Sequence, residues 1–393
     1  MTAKLTDLAS LYAGTRMGGA RVPNRLVAQA MEACDGTTGG APTERTLARY
    51  EGLARGGWGI VFVEATSVTH AAVARLQGLV LSERTAEGFR QLVARFRAAN
   101  PEALLLLQIT HSGPHSHPAT DLTTACPNAG DGMRLLSKGE IGQVRDQFVA
   151  TALLAETLGF DGIDYKLCHG YLGNDLLRPA NTRNDRWGGS FENRTRFLSE
   201  GIREIQARRQ SADFILGARM TFYESRRGGF GTAGPDSCAR DRGEPLALIR
   251  LMGALDMNYV NLSGSGAVPQ DAAELLAEEQ RCAILWYERL ATDLIRGEGL
   301  DLRVMGTGYS ALREDAAHVA AKRLRAGHAD LIGFGRQTFS DPDYPTKLQS
   351  GEDIRHCVDC GACVSLMLNH RNSGCVRRDR RCRDLYRALK RGE

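Results

Sequence analysis

The stretch LGFDGIDYKLCHGYL (residues 158–172) indicates the fold, because it joins a helix end, a tight turn and a short buried strand. The strand is followed at once by polar side chains, namely Lys166, His169 and Tyr171. Charged side chains are seldom buried at a strand end unless they are paired or have a function. The stretch therefore predicts a buried strand whose C-terminal end carries a functional site.

Similar apolar runs recur along the chain, and each is followed by a segment that can form a helix. Near-continuous apolar strands are typical of a parallel sheet that is covered on both faces. Eight strand–helix units predict an α/β protein with a closed (β/α)8 TIM barrel, and an open doubly wound sheet is the alternative. Besides GIDYKL (162–167), the runs are RLVAQAM (25–31), GIVFVEA (59–65), ALLLLQI (103–109), FILGARM (214–220), NYVNLS (258–263), LRVMGT (302–307) and ADLIGF (329–334).

Composition narrows the class of protein. The net charge of +4 over 393 residues is small and does not indicate a nucleic-acid partner. No apolar run approaches the ~20 residues that a membrane span requires, and the N-terminus lacks the order of a signal peptide. We therefore expect a cytoplasmic protein without a membrane partner. In a reducing compartment, the 10 cysteines are expected to be metal ligands or core residues rather than disulfides.

Polar residues are concentrated where the predicted strands end, which is the face that carries the active site of a TIM barrel. Several such strand ends together favour one shared site over isolated polar groups in the core. The residues are Glu64, Thr66, Gln108, His111, Lys166, His169, Tyr171, Arg219 and the run GFGR (333–336).

Two segments are longer than ordinary barrel loops. Residues 168–193 show no clear helix after the fourth strand, and residues 221–243 are rich in glycine and arginine. The second segment predicts either a mobile surface insertion or a lid whose Arg226 and Arg227 face an anionic substrate. Both interpretations stay open from the sequence.

The run HGYLGNDLLRPANTRNDRWGGSFENRTRF (169–197) closely resembles the signature of the old yellow enzyme family of FMN-dependent oxidoreductases. Three further runs are similar to the second, third and eighth units of that family: YEGLARGGWGIVFVEATSVT (50–69), LLLLQITHSG (104–113) and ADLIGFGRQTFSDPDYPTKL (329–348). The first strand, VPNRLVAQAM (22–31), is also similar, although it lacks the proline usual before the methionine.

The resemblance implies an FMN-binding TIM barrel over residues 1–350, followed by a separate C-terminal segment, 351–393. FMN is expected at the C-terminal mouth, where Arg219 would stabilise negative charge on the reduced flavin. Gly308, Gly335 and Arg336 are expected to hold its phosphate. The other positions that the resemblance implies along the flavin are Ala30, Met31, Ala65 and Gln108.

The resemblance also implies that Tyr171 gives a proton to the substrate carbon, since a phenol is a neutral donor at pH 7. Members of the family usually bind the oxygen of the substrate's activating group with a His–His or His–Asn pair at the positions of Lys166 and His169. Lysine would hold an anionic oxygen, such as a carboxylate or an enolate, better than neutral imidazole. Alternatively, Lys166 pairs with a nearby acid, such as Asp164 or Glu64, and only shapes the pocket.

After the predicted barrel, Cys357, Cys360, Cys363 and Cys375 have the spacing C-x2-C-x2-C-x11-C. Close thiolates with one more distant thiolate are typical of a 4Fe–4S cluster. Zinc is the alternative, because His356 and His370 lie nearby, and Cys382 is an alternative fourth ligand.

The cysteine spacing resembles the branch of the family that contains 2,4-dienoyl-CoA reductase and trimethylamine dehydrogenase. Those enzymes continue into FAD- and NAD-type domains, whereas this sequence ends at Glu393 without them. We expect an FMN and 4Fe–4S enzyme that reduces, or in reverse forms, the C=C bond of an α,β-unsaturated carbonyl or carboxylate compound. The alternatives are an amine dehydrogenase or oxidative demethylase, and an electron-transfer flavoprotein subunit without its own turnover.

The source of electrons has two interpretations. A separate electron-transfer protein would dock near the cluster, guided by the basic tail RRDRRCRDLYRALKR (377–391). Alternatively, NADH or NADPH reduces FMN directly and the cluster only fastens the tail to the barrel. The substrate is expected to be a small molecule, with an anionic group where Lys166 is free to bind it. A homo-oligomer is compatible with the sequence.

Overall fold

The computed structural model describes residues 7–127, 130, 132–263 and 275–392. Eight parallel strands form a closed barrel in chain order, and the last strand pairs with the first. This confirms the predicted (β/α)8 TIM barrel rather than an open sheet. The strands are β1 (Leu26–Ala28), β2 (Ile60–Ser67), β3 (Leu104–Thr110), β4 (Gly162–Leu167), β5 (Ile215–Thr221), β6 (Tyr259–Ser263), β7 (Arg303–Gly306) and β8 (Leu331–Phe334).

Each of the first seven strands is followed by a helix that covers the outside of the barrel. Side-chain caps begin several of them: Thr43 caps the first and Ser137 the third. The helices are α1 (Glu44–Arg55), α2 (Ala86–Ala99), α3 (Lys138–Thr157), α4 (Phe191–Arg208), α5 (Gly243–Ala254), α6 (Ile284–Gly297) and α7 (Ala316–Ala326), with α8 (Tyr344–Ser350) after β8. Shorter helical pieces span Ala9–Tyr12, Gly113–His115, Leu172–Leu177, Ala277–Arg281, Tyr309–Asp315 and Arg336–Ser340.

The core has two layers, one between the strands and the helices and one inside the barrel. All eight residues of β2 are buried, as expected for a strand covered on both faces. Inside the barrel, Tyr259 packs edge-on against Phe62. A hairpin formed by Thr15–Met17 and Ala20–Val22 adds Met17 and Val22 to this inner layer. The interior of the barrel is therefore filled with side chains, so ligands are expected to bind at its C-terminal mouth.

The segment after β4 contains a helix, Leu172–Leu177, that the sequence pattern did not predict. All six of its residues are buried. The helix is too short for an amphipathic period to be visible, which explains why the prediction of a segment without a helix was wrong.

The long segment after β5 is held to the segment after β4 by a buried ion pair between Glu224 and Arg178. Glu224 accepts hydrogen bonds from both Arg178 (2.6 and 2.9 Å) and the backbone N–H of Phe230 (2.9 Å). Arg226 lines a cavity at the mouth, whereas Arg227 forms a surface ion pair with Asp236 (3.1 Å). The two arginines proposed for the lid therefore have different surroundings.

The C-terminal segment forms α9 (Ala362–Leu368) and α10 (Arg380–Lys390), and it lies against the loops that follow three barrel strands. The backbone N–H of Ser373 donates to the carbonyl of Ala33 (2.7 Å), after β1. Arg75, after β2, donates to the carbonyl of Met367 (2.9 Å) in α9. Arg336, after β8, forms an ion pair with Asp359. No helix within the described ranges is long and apolar enough to cross a membrane.

Candidate active site

A cavity of about 340 Å³ opens at the C-terminal ends of the barrel strands. Met31, Arg219, Ser263 and Arg336 line it, together with glycines that follow β7 and β8. The buried Nε of Arg219 has no hydrogen-bond partner within the described residues. Buried polar groups are normally satisfied, so this guanidinium points to a polar or anionic ligand in the cavity.

Two glycines bring backbone close to this cavity. Gly308 has φ +86°, and a Cβ there would lie 2.5 Å from Ile284 Cγ2 and 2.9 Å from Cys282 Sγ. A Cβ on Gly335 would lie 3.0 Å from the sulfur of Met31. Glycine lets the backbone N–H group come close to an anion such as a phosphate, because no side chain stands between them. The donor set therefore fits a flavin phosphate, with Arg336 as its cation.

Beside this cavity, the partly buried Glu32 and the buried Lys166 and Tyr171 form the cluster Glu32–Lys166–Tyr171. Lys166 Nζ donates to Glu32 Oε1 (2.8 Å), and the Tyr171 hydroxyl donates to the same carboxylate at 3.0 Å. The ammonium also lies 3.5 Å from the centre of the Tyr171 ring, in cation–π geometry. The lysine is 2% and the glutamate 15% exposed. Lys166 is thus paired with an acid, and that acid is Glu32 rather than Asp164 or Glu64.

The charges of the cluster hold its members in defined protonation states. Burial and the neighbouring Glu32 carboxylate raise the pKa of Tyr171 well above its ordinary value. Burial opposes ionisation of Glu32, but the Lys166 ammonium and the Arg75 guanidinium outweigh it and hold the pKa of this carboxyl below its usual range. At neutral pH the cluster therefore contains a neutral phenol and an ionised carboxylate.

His169 lines a second cavity, here called the outer cavity, and contacts a residue of the main cavity. Its Nε2 is 2.7 Å from Ser263 Oγ, and Ser263 lines the main cavity. The imidazole itself lines the outer cavity of about 310 Å³, together with His115 and Arg226. Desolvation of the ring and the charges of Arg219 and Lys166 lower the pKa of His169 below its ordinary value, although the residue is exposed to solvent. The ring is therefore neutral and can donate a single hydrogen bond.

Other residues expected along a flavin occupy different positions around these cavities. Met31 lines the main cavity, whereas Ala65 lines a small neighbouring one with Glu32 and Tyr171. Ala30 packs against the inner core. Gln108 Nε2 donates to Asp164 (2.6 Å), and burial raises the pKa of that aspartate to about 6.

Sequence reasoning missed Glu32, which follows Met31 in the run AQAMEACDG. The signal was present, because a charged residue directly after an apolar strand is the feature that identified Lys166. The other acid considered as a partner, Glu64, forms an ion pair with Arg49 and accepts a hydrogen bond from the backbone of Ala33 (3.0 Å).

The four predicted cluster cysteines surround one small cavity. Cys357, Cys360, Cys363 and Cys375 all line it, and so does Arg336. Cys382 is fully buried and does not line this cavity. His356 and His370 are not among its lining residues either. Across the described ranges, no group of three or more His, Cys, Asp or Glu side chains is arranged to hold a metal ion.

Comparison with known proteins places the chain in a family. The model of the NADH:flavin oxidoreductase / NADH oxidase family matches residues 10–354. An NADH oxidase of Thermoanaerobacter brockii is 26% identical over 373 residues, which are 91% of this chain and 53% of that protein. An NADPH dehydrogenase of Clostridium acetobutylicum is 30% identical over 329 residues, or 81% and 88% of the two chains.

Among solved structures, a 2-naphthoyl-CoA reductase in complex with 2-naphthoyl-CoA shares the fold, with a TM-score of 0.81 and 21% identity. The match covers 96% of this chain and 58% of that one. The chain spans about half the length of several curated relatives, such as the Thermoanaerobacter protein at 53%. The extent of the family match and the barrel with its site at the mouth lead to one conclusion: the chain belongs to the NADH:flavin oxidoreductase / NADH oxidase family, of the old yellow enzyme type.

Proposed function

We propose that the chain is an FMN-dependent oxidoreductase that reduces, or in reverse forms, the C=C bond of an α,β-unsaturated carbonyl or carboxylate compound. The observation that carries this proposal is the position of a buried phenol beside the arginine- and glycine-lined cavity. Met31 lines that cavity, and the next residue, Glu32, holds the hydroxyl of Tyr171. A proton donor thus lies next to the space that suits a flavin.

The residues around the main cavity have complementary roles in holding FMN. Gly308, Gly335 and Arg336 would bind its phosphate through backbone N–H groups and a guanidinium. Arg219, whose Nε has no partner within the described residues, would neutralise negative charge on the ring system. Ala30, Met31, Ala65 and Gln108 would line the remaining surface. When bound, FMN supplies hydride chemistry, and NADH or NADPH is its expected electron source.

The catalytic roles follow from the protonation states. Tyr171 would transfer its proton to the substrate carbon, since it is a neutral phenol. Neutral His169 would donate a hydrogen bond to the substrate oxygen, and Lys166 would add positive charge to the same region. Arg226, which lines the outer cavity, would attract an anionic group on a small-molecule substrate.

We also propose that Cys357, Cys360, Cys363 and Cys375 bind a 4Fe–4S cluster. The support is that all four thiols line one cavity, while Cys382 and the two histidines considered as zinc ligands do not. When bound, such a cluster supplies one-electron chemistry. Cys360 is exposed, so a cluster bound by these cysteines would lie near the surface. An electron-transfer protein is therefore a candidate partner at the surface around Cys360.

Oxidation of an amine is the second candidate function, and Glu32 favours it. A free Lys166 would repel a cationic substrate in a water-poor site. The 2.8 Å ion pair with Glu32 offsets the charge of the lysine, so this objection is weaker than the sequence suggested.

The test compares Tyr171→Phe with the wild-type enzyme and with Tyr12→Phe. Tyr12 also donates a hydrogen bond through its hydroxyl, to the carbonyl of Pro345 (2.8 Å), away from the cavities described above. The yellow protein is first shown to release FMN on denaturation. Reoxidation of the reduced flavin by an enone should then slow by about 10²–10⁴-fold in Tyr171→Phe, the usual share of general acid catalysis.

Tyr12→Phe should keep the wild-type rate. Equal rates in all three proteins would contradict the assignment of Tyr171. Reduction of the oxidised flavin by amines, with no reaction of the reduced flavin with enones or enoates, would support the second candidate instead.

A further inference from the structure

The proposed reaction uses the proton of Tyr171 but gives Glu32 no part. The carboxylate nevertheless receives the Tyr171 hydroxyl at 3.0 and 3.3 Å from its two oxygens and the Lys166 ammonium at 2.8 Å. It thereby joins a buried ammonium and a buried phenol into one hydrogen-bonded chain. Such a chain can pass a proton along its length, because each group is within direct bonding distance of the next.

The hydroxyl hydrogen of Tyr171 therefore points at Glu32. A phenol that donates to a carboxylate leaves its oxygen lone pairs open to another group. In this arrangement Tyr171 is set to accept a proton from a substrate carbon while passing its own proton to Glu32. To donate a proton to substrate instead, Tyr171 requires a protonated Glu32 that donates to the phenolic oxygen.

We propose that Glu32 is the positioning residue that takes up the phenolic proton of Tyr171 or returns it. Its protonation state thereby determines whether the phenol acts as a proton acceptor or as a donor. This inference rests on the proposed function and extends it. In the dehydrogenating direction, a substrate C–H bond breaks, its proton forms a new O–H bond on Tyr171, and the original phenolic proton moves to the Glu32 carboxylate. The hydride of the neighbouring substrate carbon would go to FMN, which supplies the hydride chemistry when it is bound.

In the reducing direction the same atoms move in reverse. The Tyr171 O–H bond breaks as its proton goes to the substrate carbon, and the phenolic oxygen takes the proton of the Glu32 carboxylic acid. Glu32 is then protonated again by the Lys166 ammonium or through its 15% exposed edge. Because Glu32 is ionised at neutral pH, the resting arrangement favours proton acceptance, and reduction should speed up as the pH falls.

Other charged or titratable groups surround Glu32 and bear on any pH profile. Those that face it, or act on it, from neighbouring elements are Lys166, Tyr171, Cys34, Cys168, Glu64, Arg75 and His115. Glu64 is unsuitable as a control, because it lines the same small cavity as Glu32 and Tyr171. Glu288 provides a matched control outside the cavities described above, because this buried carboxyl accepts hydrogen bonds from the Tyr309 hydroxyl (2.7 Å) and from Arg323 (3.1 Å).

The experiment compares Glu32→Gln, Glu32→Asp and the control Glu288→Gln as FMN-loaded enzymes. The rate of flavin reoxidation by an enone is measured across pH in single turnovers. Glutamine can bond to Tyr171 but cannot exchange its proton, so Glu32→Gln should lose the acid-dependent rise and slow by about 10²-fold at acidic pH. Glu32→Asp should keep the rise at a lower rate, and Glu288→Gln should keep the wild-type profile.

A second measurement does not depend on turnover. The phenolate absorbance of Tyr171 is obtained as the difference between each protein and its Tyr171→Phe counterpart during a pH titration. Removing the anionic neighbour should move the ionisation of Tyr171 to lower pH in Glu32→Gln but not in Glu288→Gln.

The outcomes separate this inference from the proposed function. A wild-type rate and pH profile in both Glu32 variants, while Tyr171→Phe remains slow, would overturn the role of Glu32 and leave the proposed function intact. The role of Glu32 would likewise be overturned if adding Glu32→Gln to the Tyr171→Phe enzyme slowed it as much as Glu32→Gln slows the wild-type enzyme. Glu32 would then act without Tyr171. If Tyr171→Phe reoxidised its flavin at the wild-type rate, the proposed function itself would be contradicted, whatever the Glu32 variants show. If Glu32→Gln fails to fold, the single-turnover rate of Glu32→Asp decides the matter, because a wild-type rate in that variant would overturn the role of Glu32.

Discussion

At the scale of single residues, polar side chains at strand ends could be predicted, but their partners could not. Lys166 was identified from its position after an apolar strand, and the structure places its ammonium against Glu32. These residues are 134 positions apart, so no local pattern connects them. Their contact arises because barrel closure brings the ends of β1 and β4 to the same mouth. Sequence reasoning thus predicted which strand ends carry polar side chains, but not how these side chains bond to one another.

Gly308 provides a prediction at this scale, and Gly351 provides the matched control. Both have a positive φ, +86° and +74°, but a Cβ on Gly351 would meet no atom within 4 Å. Alanine at either position should cost about 1–3 kcal/mol in unfolding free energy from backbone strain. Gly308→Ala should additionally weaken FMN binding, because its methyl group would collide with Ile284 at the cavity wall. Fluorescence titration with FMN measures this, and equal affinities in the two variants would contradict a phosphate site at Gly308.

At the scale of elements, long apolar runs predicted the barrel strands, whereas their ends were less certain. The run 25–31 predicted a strand of seven residues, but β1 spans only Leu26–Ala28. Gln29 lies beyond the strand end, and its side-chain amide forms two hydrogen bonds with the side-chain amide of Asn261 across the barrel (3.1 and 2.9 Å). The sequence stays apolar beyond the last hydrogen-bonded residue of β1, because Ala30 still packs against the core. Composition therefore cannot show where the strand pairing ends.

The C-terminal segment gives a prediction at the same scale. Cys360→Ser removes one of four thiols around a shared cavity, whereas Cys382→Ser changes a fully buried thiol outside it. After anaerobic reconstitution, the wild-type protein and Cys382→Ser should bind about four irons per chain, and Cys360→Ser should bind fewer. Colorimetric iron analysis with the visible spectrum checks this. Iron loss in Cys382→Ser alone would move the fourth ligand from Cys375 to Cys382.

At the scale of the whole molecule, burial of an acid inside the barrel couples stability to pH. Asp164 is fully buried and accepts hydrogen bonds from Gln108 (2.6 Å) and Tyr259 (3.0 Å). Burial raises its pKa from 3.8 to about 6, so folding favours its neutral form. The stability that this group contributes is full below the unfolded pKa and is lost as the pH rises through about 6.

Asp164→Asn should therefore gain unfolding free energy relative to the wild type as the pH increases from 3.8 to about 6, because asparagine cannot ionise. Denaturant unfolding at several pH values measures the difference. A difference that does not change with pH would show that Asp164 has the same pKa in the folded and unfolded states.

Arg336 has a consequence for the assembly of the protein. Its side chain borders both the cavity assigned to the flavin and the cavity of the four cysteines, and it pairs with Asp359, which lies between Cys357 and Cys360. A phosphate on one side would compete with Asp359 for the guanidinium, and a change in the cysteine loop would shift Asp359 in turn. If both proposed cofactors bind, they would be thermodynamically linked, and each would change the affinity for the other by the same factor. The half-loaded forms would then depend on which cofactor arrives first, whereas the fully loaded protein would not depend on that order.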